Sequence, residues 1–374
     1  MSYLLTISLL LSLMYPHVLP THFIISACFL YVLFFFIKNR LLMLKGLVYI
    51  HLFWIMFFIF FGINYFYYHN AEFFAEFLLF ICLAGSMYIG IFSGINFREN
   101  LLYIFVGWVF IIQFQLFTKN SIDQVLNERW TITTGWVNSN AIGALLVFSV
   151  PLLFLCFYAT KSKPLRIIIL LEIFISGMIL FLLSSRSSLL AVTAILLYML
   201  LISRKKIRNI LITIPLIIIF IFILFNIDVL QQSAVLTFNR IFSSGLNGRD
   251  LLWSEAFGLI KENPLYGIGA RNGNVMDFHN PILHIAVHYG LLTVVPFTAL
   301  ICSPLILIKL KQFKDIYIVF IFATYLAILV QSSIEAILTP LIMGSIGWYF
   351  IGLLYGFLVK NKHFHNLRID DVTK

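Results

Sequence analysis

An α-helix needs about 20 consecutive apolar residues to cross a bilayer, and this 374-residue sequence offers such runs one after another. They fall near residues 3–19, 21–37, 46–67, 73–95, 101–117, 141–159, 167–184, 188–202, 210–227, 282–308, 316–332 and 338–359, with Pro16 and Pro20 dividing the first two. In hydrocarbon no water satisfies a backbone N–H or C=O, so only helices and closed barrels span it. Runs this long select helices. The expected architecture is an all-α polytopic membrane protein of about twelve transmembrane helices, forming a single integral membrane domain over residues 1–374. Composition agrees: 11% of the residues are charged, against about 25% in soluble domains. The N-terminal run lacks the basic flank and small-residue cleavage site of a signal peptide, so it reads as a retained first span.

The basic residues give the chain a direction. One set of loops, every second one, is rich in them: Lys38, Arg40 and Lys45; Arg98; Lys161, Lys163 and Arg166; Arg204, Lys205, Lys206 and Arg208; Lys309, Lys311 and Lys314; and the tail after Lys360. The intervening loops are poorer in basic residues and richer in acids, among them Glu72, Glu76, Asp123, Glu128, Asp250, Glu255, Glu262 and Asp277. By the positive-inside rule both termini are cytoplasmic, and residues 228–281 form one long extracytoplasmic loop. The net charge of +10 is this orientation signal, so nucleic acid is not a partner that the charge requires. All four cysteines lie in apolar runs, which indicates neither a disulfide frame nor a zinc site. No internal repeat of the transporter kind is visible.

Two outward segments exceed simple turns: 118–140 and 228–281. In the second, residues 249–262 place Leu252, Ala256, Leu259 and Ile260 on one face, with Trp253 and Phe257 widening it. Asn247 or Gly248 caps this amphipathic helix, and Asn263-Pro264 ends it. It lies on the outer membrane surface or packs on the spans; the pattern serves both.

A few polar residues carry chemical possibilities. Arg186, within Ser185-Arg186-Ser187-Ser188, is a charge between two apolar spans on the side that disfavours cations, so it stands as a functional candidate. Arg249 begins a helix, where a cation opposes the dipole, and with the free N–H groups there it suits an anion. His279 precedes Pro281, a residue suited to a first helical turn, and a neutral imidazole accepts a proton from a hydroxyl. Asp277 and Asn280 flank it. His284 and His288 share a helix face but lack a third ligand, so no metal is expected. Glu335 suits an arginine partner or sugar hydroxyls. Gly267-Ile268-Gly269 follows no strand and reads as a turn, not a nucleotide loop. Glu172, alone in its span, is thin support for a transporter.

Over about residues 136–300 the chain resembles the O-antigen ligase and O-antigen polymerase family of bacterial envelope glycosyltransferases. The pieces are Asn138-Ser139-Asn140; Ser185-Arg186-Ser187-Ser188; Gly248-Arg249-Asp250-Leu251-Leu252-Trp253; Asn263-Pro264-Leu265-Tyr266-Gly267-Ile268-Gly269; His279-Asn280; and Gly290-Leu291. The segment between Gly269 and His279 is short for that family. The resemblance implies a C-type glycosyltransferase working on the outer membrane face without a cofactor. Its donor would be an undecaprenyl-diphosphate-linked glycan, and a second glycan its acceptor. Arg186 and Arg249 would hold the diphosphate and His279 would activate the acceptor hydroxyl, with Asp277, Asn280, His284 and Glu335 as supports. The leading expectation is a polymerase of O-antigen, capsule or exopolysaccharide repeats in the cytoplasmic membrane, alongside a repeat-unit flippase and a chain-length regulator. The rivals are a ligase moving the glycan onto lipid A–core and a polysaccharide transporter or flippase.

Overall fold

The computed structural model describes residues 1–16, 19–39, 45–68, 73–121, 124, 132–135, 137–183, 185–202, 226, 231–232, 235, 239, 248–269 and 278–372. Among these the chain is all-helical apart from one isolated β-bridge, Thr133 with Asn138. In chain order the helices are α1 (Ser2–Met14), α2 (Thr21–Lys38), α3 (Lys45–Tyr68), α4 (Phe73–Ile95), α5 (Asn100–Lys119), α6 (Ser139–Ala159) and α7 (Lys163–Leu183). They continue with α8 (Arg186–Ile202), α9 (Arg249–Glu262), α10 (Pro281–Tyr289), α11 (Leu291–Leu307), α12 (Ile316–Ser332) and α13 (Leu341–Val372). Seven of them, α2–α7 and α13, are long and apolar enough to cross a membrane, and α1, α8, α11 and α12 are shorter apolar helices. This is a polytopic membrane protein. The expected span at 210–227 lies outside the described residues.

The chain forms two compact units. One contains α1–α4, α9–α11 and α13. Its strongest contact joins α4 to α13, and the cause is two glycine pairs at four-residue spacing, Gly90 with Gly94 and Gly352 with Gly356. A Cβ on Gly90 would stand 2.0 Å from the Tyr349 carbonyl oxygen, and one on Gly352 would stand 2.1 Å from that of Met87. Backbones this close exchange dispersion contacts that lipid cannot match, which is how small residues drive helix association in hydrocarbon. Gly352→Leu is therefore expected to prevent the α4–α13 contact. The readout is loss of the monodisperse peak in detergent chromatography, and an unchanged peak with unchanged thermal stability would refute the assignment. α1 is fastened to the same pair through the Thr6 hydroxyl, 2.9 Å from the Tyr349 hydroxyl and 3.3 Å from that of Ser93.

The other unit contains α5–α8 and most of α12. Buried polar groups cross-link it. Gln113 donates from Nε2 to the Glu172 carbonyl and to the Ser176 hydroxyl, each at 3.0 Å. Thr324 on α12 donates to the Phe148 carbonyl of α6 at 3.0 Å.

One expected span is corrected. Residues 282–308 do not form a continuous helix: α10 ends at Tyr289 and α11 starts at Leu291. Gly290 between them has φ +80° and ψ 169°, outside any helical region. The turn after α9 takes the place of the missing helical bonds. Leu291 N–H donates to the Pro264 carbonyl at 2.9 Å, while Ile268 and Gly269 N–H groups donate to the Val287 and His288 carbonyls at 2.8 and 3.0 Å. A Cβ at Gly290 would stand 2.0 Å from the Leu265 carbonyl oxygen. The residues 263–269 thus splice between α10 and α11 rather than merely returning the chain, and their N–H groups bond the carbonyls that the break leaves open.

Candidate functional site

The site is built on α9 and α10. α9 occupies Arg249–Glu262, with Gly248 as its N-cap and Asn263 as its C-cap. Its apolar face works as the spacing predicts: Ala256 is fully buried with Phe278 and Val287, and Leu252, Leu259 and Ile260 pack against them. Phe257 departs from that expectation, being 54% exposed; it lies beyond the edge of the stripe that meets α10. Trp253 turns inward and donates its indole N–H to the Phe278 carbonyl at 3.0 Å.

These contacts pin the residue before His279. Asn280 pins the residue after it: the Asn280 side chain caps α10, accepting from Ile282 and Leu283 N–H at 2.9 and 3.1 Å. Its Nδ2 donates to the Ser333 carbonyl at 3.2 Å, tying α10 to the connection between α12 and α13. Between these two anchors His279 adopts φ +51°, the only described non-glycine residue at positive φ. Such a conformation persists where the surroundings hold it, and it is enriched at functional sites.

Glu335, in the same α12–α13 connection, joins the remaining two groups. Its Oε1 accepts from Nη2 of Arg249 in an ion pair, and its Oε2 stands 3.2 Å from Nδ1 of His279. The Arg249 and Glu335 side chains are 15% and 10% exposed, while that of His279 is 39% exposed. One nearly buried carboxylate therefore serves a cation and an imidazole with one oxygen each. A carboxylate only accepts, so this contact suits an imidazole with its proton on Nδ1. The carboxylate also answers the local conflict at Arg249, since an anion at the first turn of a helix offsets both the guanidinium and the dipole.

The other expected site residues are placed as follows. Asp277 lies outside the described residues. His284 and His288 are buried, with ring centroids 4.5 Å apart and His288 Nδ1 3.1 Å from the Gly269 carbonyl oxygen; they pack beneath the turn. Among the described residues no three His, Cys, Asp or Glu side chains group as a metal site. Arg186 opens α8 in the other unit, half-buried. Its neighbours Ser185, Ser187 and Ser188 are buried, and Gln331 donates from Nε2 to the Ser187 hydroxyl at 2.9 Å. The Ser188 hydroxyl donates to that of Ser185 at 2.9 Å.

Residues that the sequence reading passed over hold the turn. Asn64 on α3 donates to the Tyr266 carbonyl and, at 3.1 Å, to that of His288, and the Tyr68 hydroxyl donates to the Gly267 carbonyl. The available signal was a lone Asn inside an apolar span, which is a polar group in need of a partner. Asn64→Leu is expected to loosen the turn and lower the melting temperature by several degrees, roughly 2–4 °C per kcal/mol lost; an unchanged melting temperature would refute this role.

Fold and site together define a multi-pass helical membrane protein with a carboxylate–imidazole–guanidinium centre. Residues 171–298, about a third of the chain, match the sequence profile of the family described as O-antigen ligase, and the chain carries a domain of that family there. Members of the family are membrane glycosyltransferase-like ligases and polymerases, which implies lipid-linked glycan substrates. No curated protein matches the chain. The matched segment contains Arg186, Arg249 and His279 but not Glu335.

Proposed function

We propose that the chain polymerises undecaprenyl-diphosphate-linked oligosaccharide repeats at the outer face of the cytoplasmic membrane. The observation that carries this reading is the sharing of Glu335 between Arg249 and His279. Glycosyl transfer from a diphosphate needs a cation at the leaving group and a base at the attacking hydroxyl. Arg249 supplies the first, with Arg186 as a second diphosphate-binding residue. His279 supplies the second through Nε2. The acceptor oxygen gives its proton to Nε2 and bonds to the anomeric carbon. The bond from that carbon to the diphosphate oxygen breaks, and polyprenyl diphosphate departs with the electron pair. Guanidinium groups provide the positive charge, so transfer is expected to persist in EDTA, and a strict divalent-metal requirement would count against the scheme.

A ligase that moves the finished glycan to lipid A–core is the second reading, favoured by the description of the matched family. Donor chemistry is common to both. Purified protein given a lipid-linked repeat alone should build a ladder of polymer; transfer seen only after lipid A–core is added would establish the ligase. For the polymerase, a repeat-unit flippase and a chain-length regulator are the proposed partners.

The reading requires residues 228–281 to be extracytoplasmic and both termini cytoplasmic. Ser244→Cys is expected to react with a membrane-impermeant maleimide in intact spheroplasts, and a cysteine at Lys374 only after permeabilisation. The reverse pattern would overturn the orientation.

A further inference from the structure

The proposed reaction gives His279 and Arg249 their parts but leaves the carboxylate between them without one. We infer that Glu335 is a positioning residue that fills the anion seat on Arg249 until the donor's diphosphate displaces it, after which it serves His279 alone. This rests on the glycosyltransferase reading above.

Arg249 is the first residue of α9, and its N-cap, Gly248, offers no side-chain cap. The guanidinium and the uncapped N–H groups of the first turn together favour an anion. In the structure that anion is Oε1 of Glu335. A diphosphate ester seeking the same guanidinium brings at least two further negative charges. Both side chains are largely withdrawn from solvent, so screening is weak and the like charges repel strongly. The partner that yields is Glu335, whose carboxylate is carried by the non-helical connection between α12 and α13. It has a second partner ready, because Oε2 already faces Nδ1 of His279. Leaving Arg249 does not strand the carboxylate; it concentrates its charge on the imidazole.

The consequence is an order of events. Before donor binds, the negative charge that steadies His279 is shared with a cation and is correspondingly weaker. Once the diphosphate holds Arg249, the full carboxylate charge stabilises the imidazolium that forms as the acceptor hydroxyl gives up its proton. Proton removal is then favoured only when a glycosyl donor is in place.

The two halves of this role separate in Glu335→Gln. The amide oxygen still accepts from Nδ1 of His279 and preserves its tautomer, but the neutral side chain neither competes for Arg249 nor stabilises an imidazolium. Affinity for polyprenyl diphosphate, measured by titration into the purified protein in detergent, is expected to rise about fivefold, the equivalent of one modest ion pair removed from competition. Single-turnover transfer is expected to fall at least about tenfold. A residue that only supports the fold would weaken both quantities together. Should the glutamine variant fail to fold, Glu335→Ala, which likewise removes the competing charge, is read for the same rise in diphosphate affinity and the same fall in transfer. Tighter binding must also vanish in the Arg249→Ala background, since the competition is for that side chain. Unchanged or weaker diphosphate binding in Glu335→Gln, while the wild type binds measurably, overturns the seat-filling role alone. Failure of the wild type to bind polyprenyl diphosphate at all overturns the glycosyltransferase reading and this inference with it.

Discussion

Arg249→Ala is expected to lower glycan transfer by about 10²–10³, the usual effect of deleting one preorganised group that stabilises developing negative charge. The protein should still insert, because α9 is held by its apolar face against Phe278 and Val287 and not by its first residue. The substitution does leave Oε1 of Glu335 without its cation in a nearly buried position, and stranding a charge is destabilising. That effect is separable. Adding Glu335→Gln removes the stranded charge and should restore thermal stability while leaving transfer lost. Arg249→Lys is the sharper test. An ammonium keeps the charge and can still meet Glu335, but it cannot present two parallel N–H groups to a phosphate. Activity close to wild type in Arg249→Lys would exclude a bidentate phosphate clamp. Arg186→Ala and Arg186→Lys are expected to behave alike, and near-normal polymer ladders in both lysine variants would remove the arginines from the donor site.

Much of this arrangement was legible in the chain, and the reasons are physical. Helical spans announce themselves because hydrocarbon allows so few alternatives. α9 was legible to the residue because three independent signals coincide there: a flexible Gly248, a 3.6-residue apolar period, and Asn263-Pro264. Residues far apart in sequence were not legible as neighbours. Glu335 lies 56 residues beyond His279 and 86 beyond Arg249, and no local pattern marks an acid at a span end as the partner of both. The break at Gly290 was hidden for a related reason. Glycine occurs within continuous membrane helices, as Gly90 and Gly352 illustrate, and only the arrival of residues 263–269 alongside it turns this one into a splice. The Gly90–Gly94 and Gly352–Gly356 pairs were passed over, and such spacing names a packing face without naming the helix it meets.

His279→Ala is expected to slow transfer by roughly 10²–10⁴ with diphosphate binding retained, since the guanidinium and not the imidazole holds that group. The substituent matters, because position 279 has φ +51°. Alanine and glutamine are strained there, whereas asparagine visits that region more readily. His279→Asn therefore separates loss of the base from loss of backbone geometry: it should fold as the wild type does and remain as slow as the alanine variant. The pH profile supplies the second line. A base must be neutral to act, so the rate should climb with pH as the imidazole loses its proton, and that rising limb should be absent from His279→Asn. The competing account is that His279 only hydrogen-bonds the acceptor sugar. It predicts a raised KM for acceptor with kcat nearly intact and no change in the pH profile. With saturating acceptor the two accounts diverge fully: turnover of His279→Asn close to the wild-type rate would show that the proton leaves by another route, and Nε2 would then be a binding contact rather than the base.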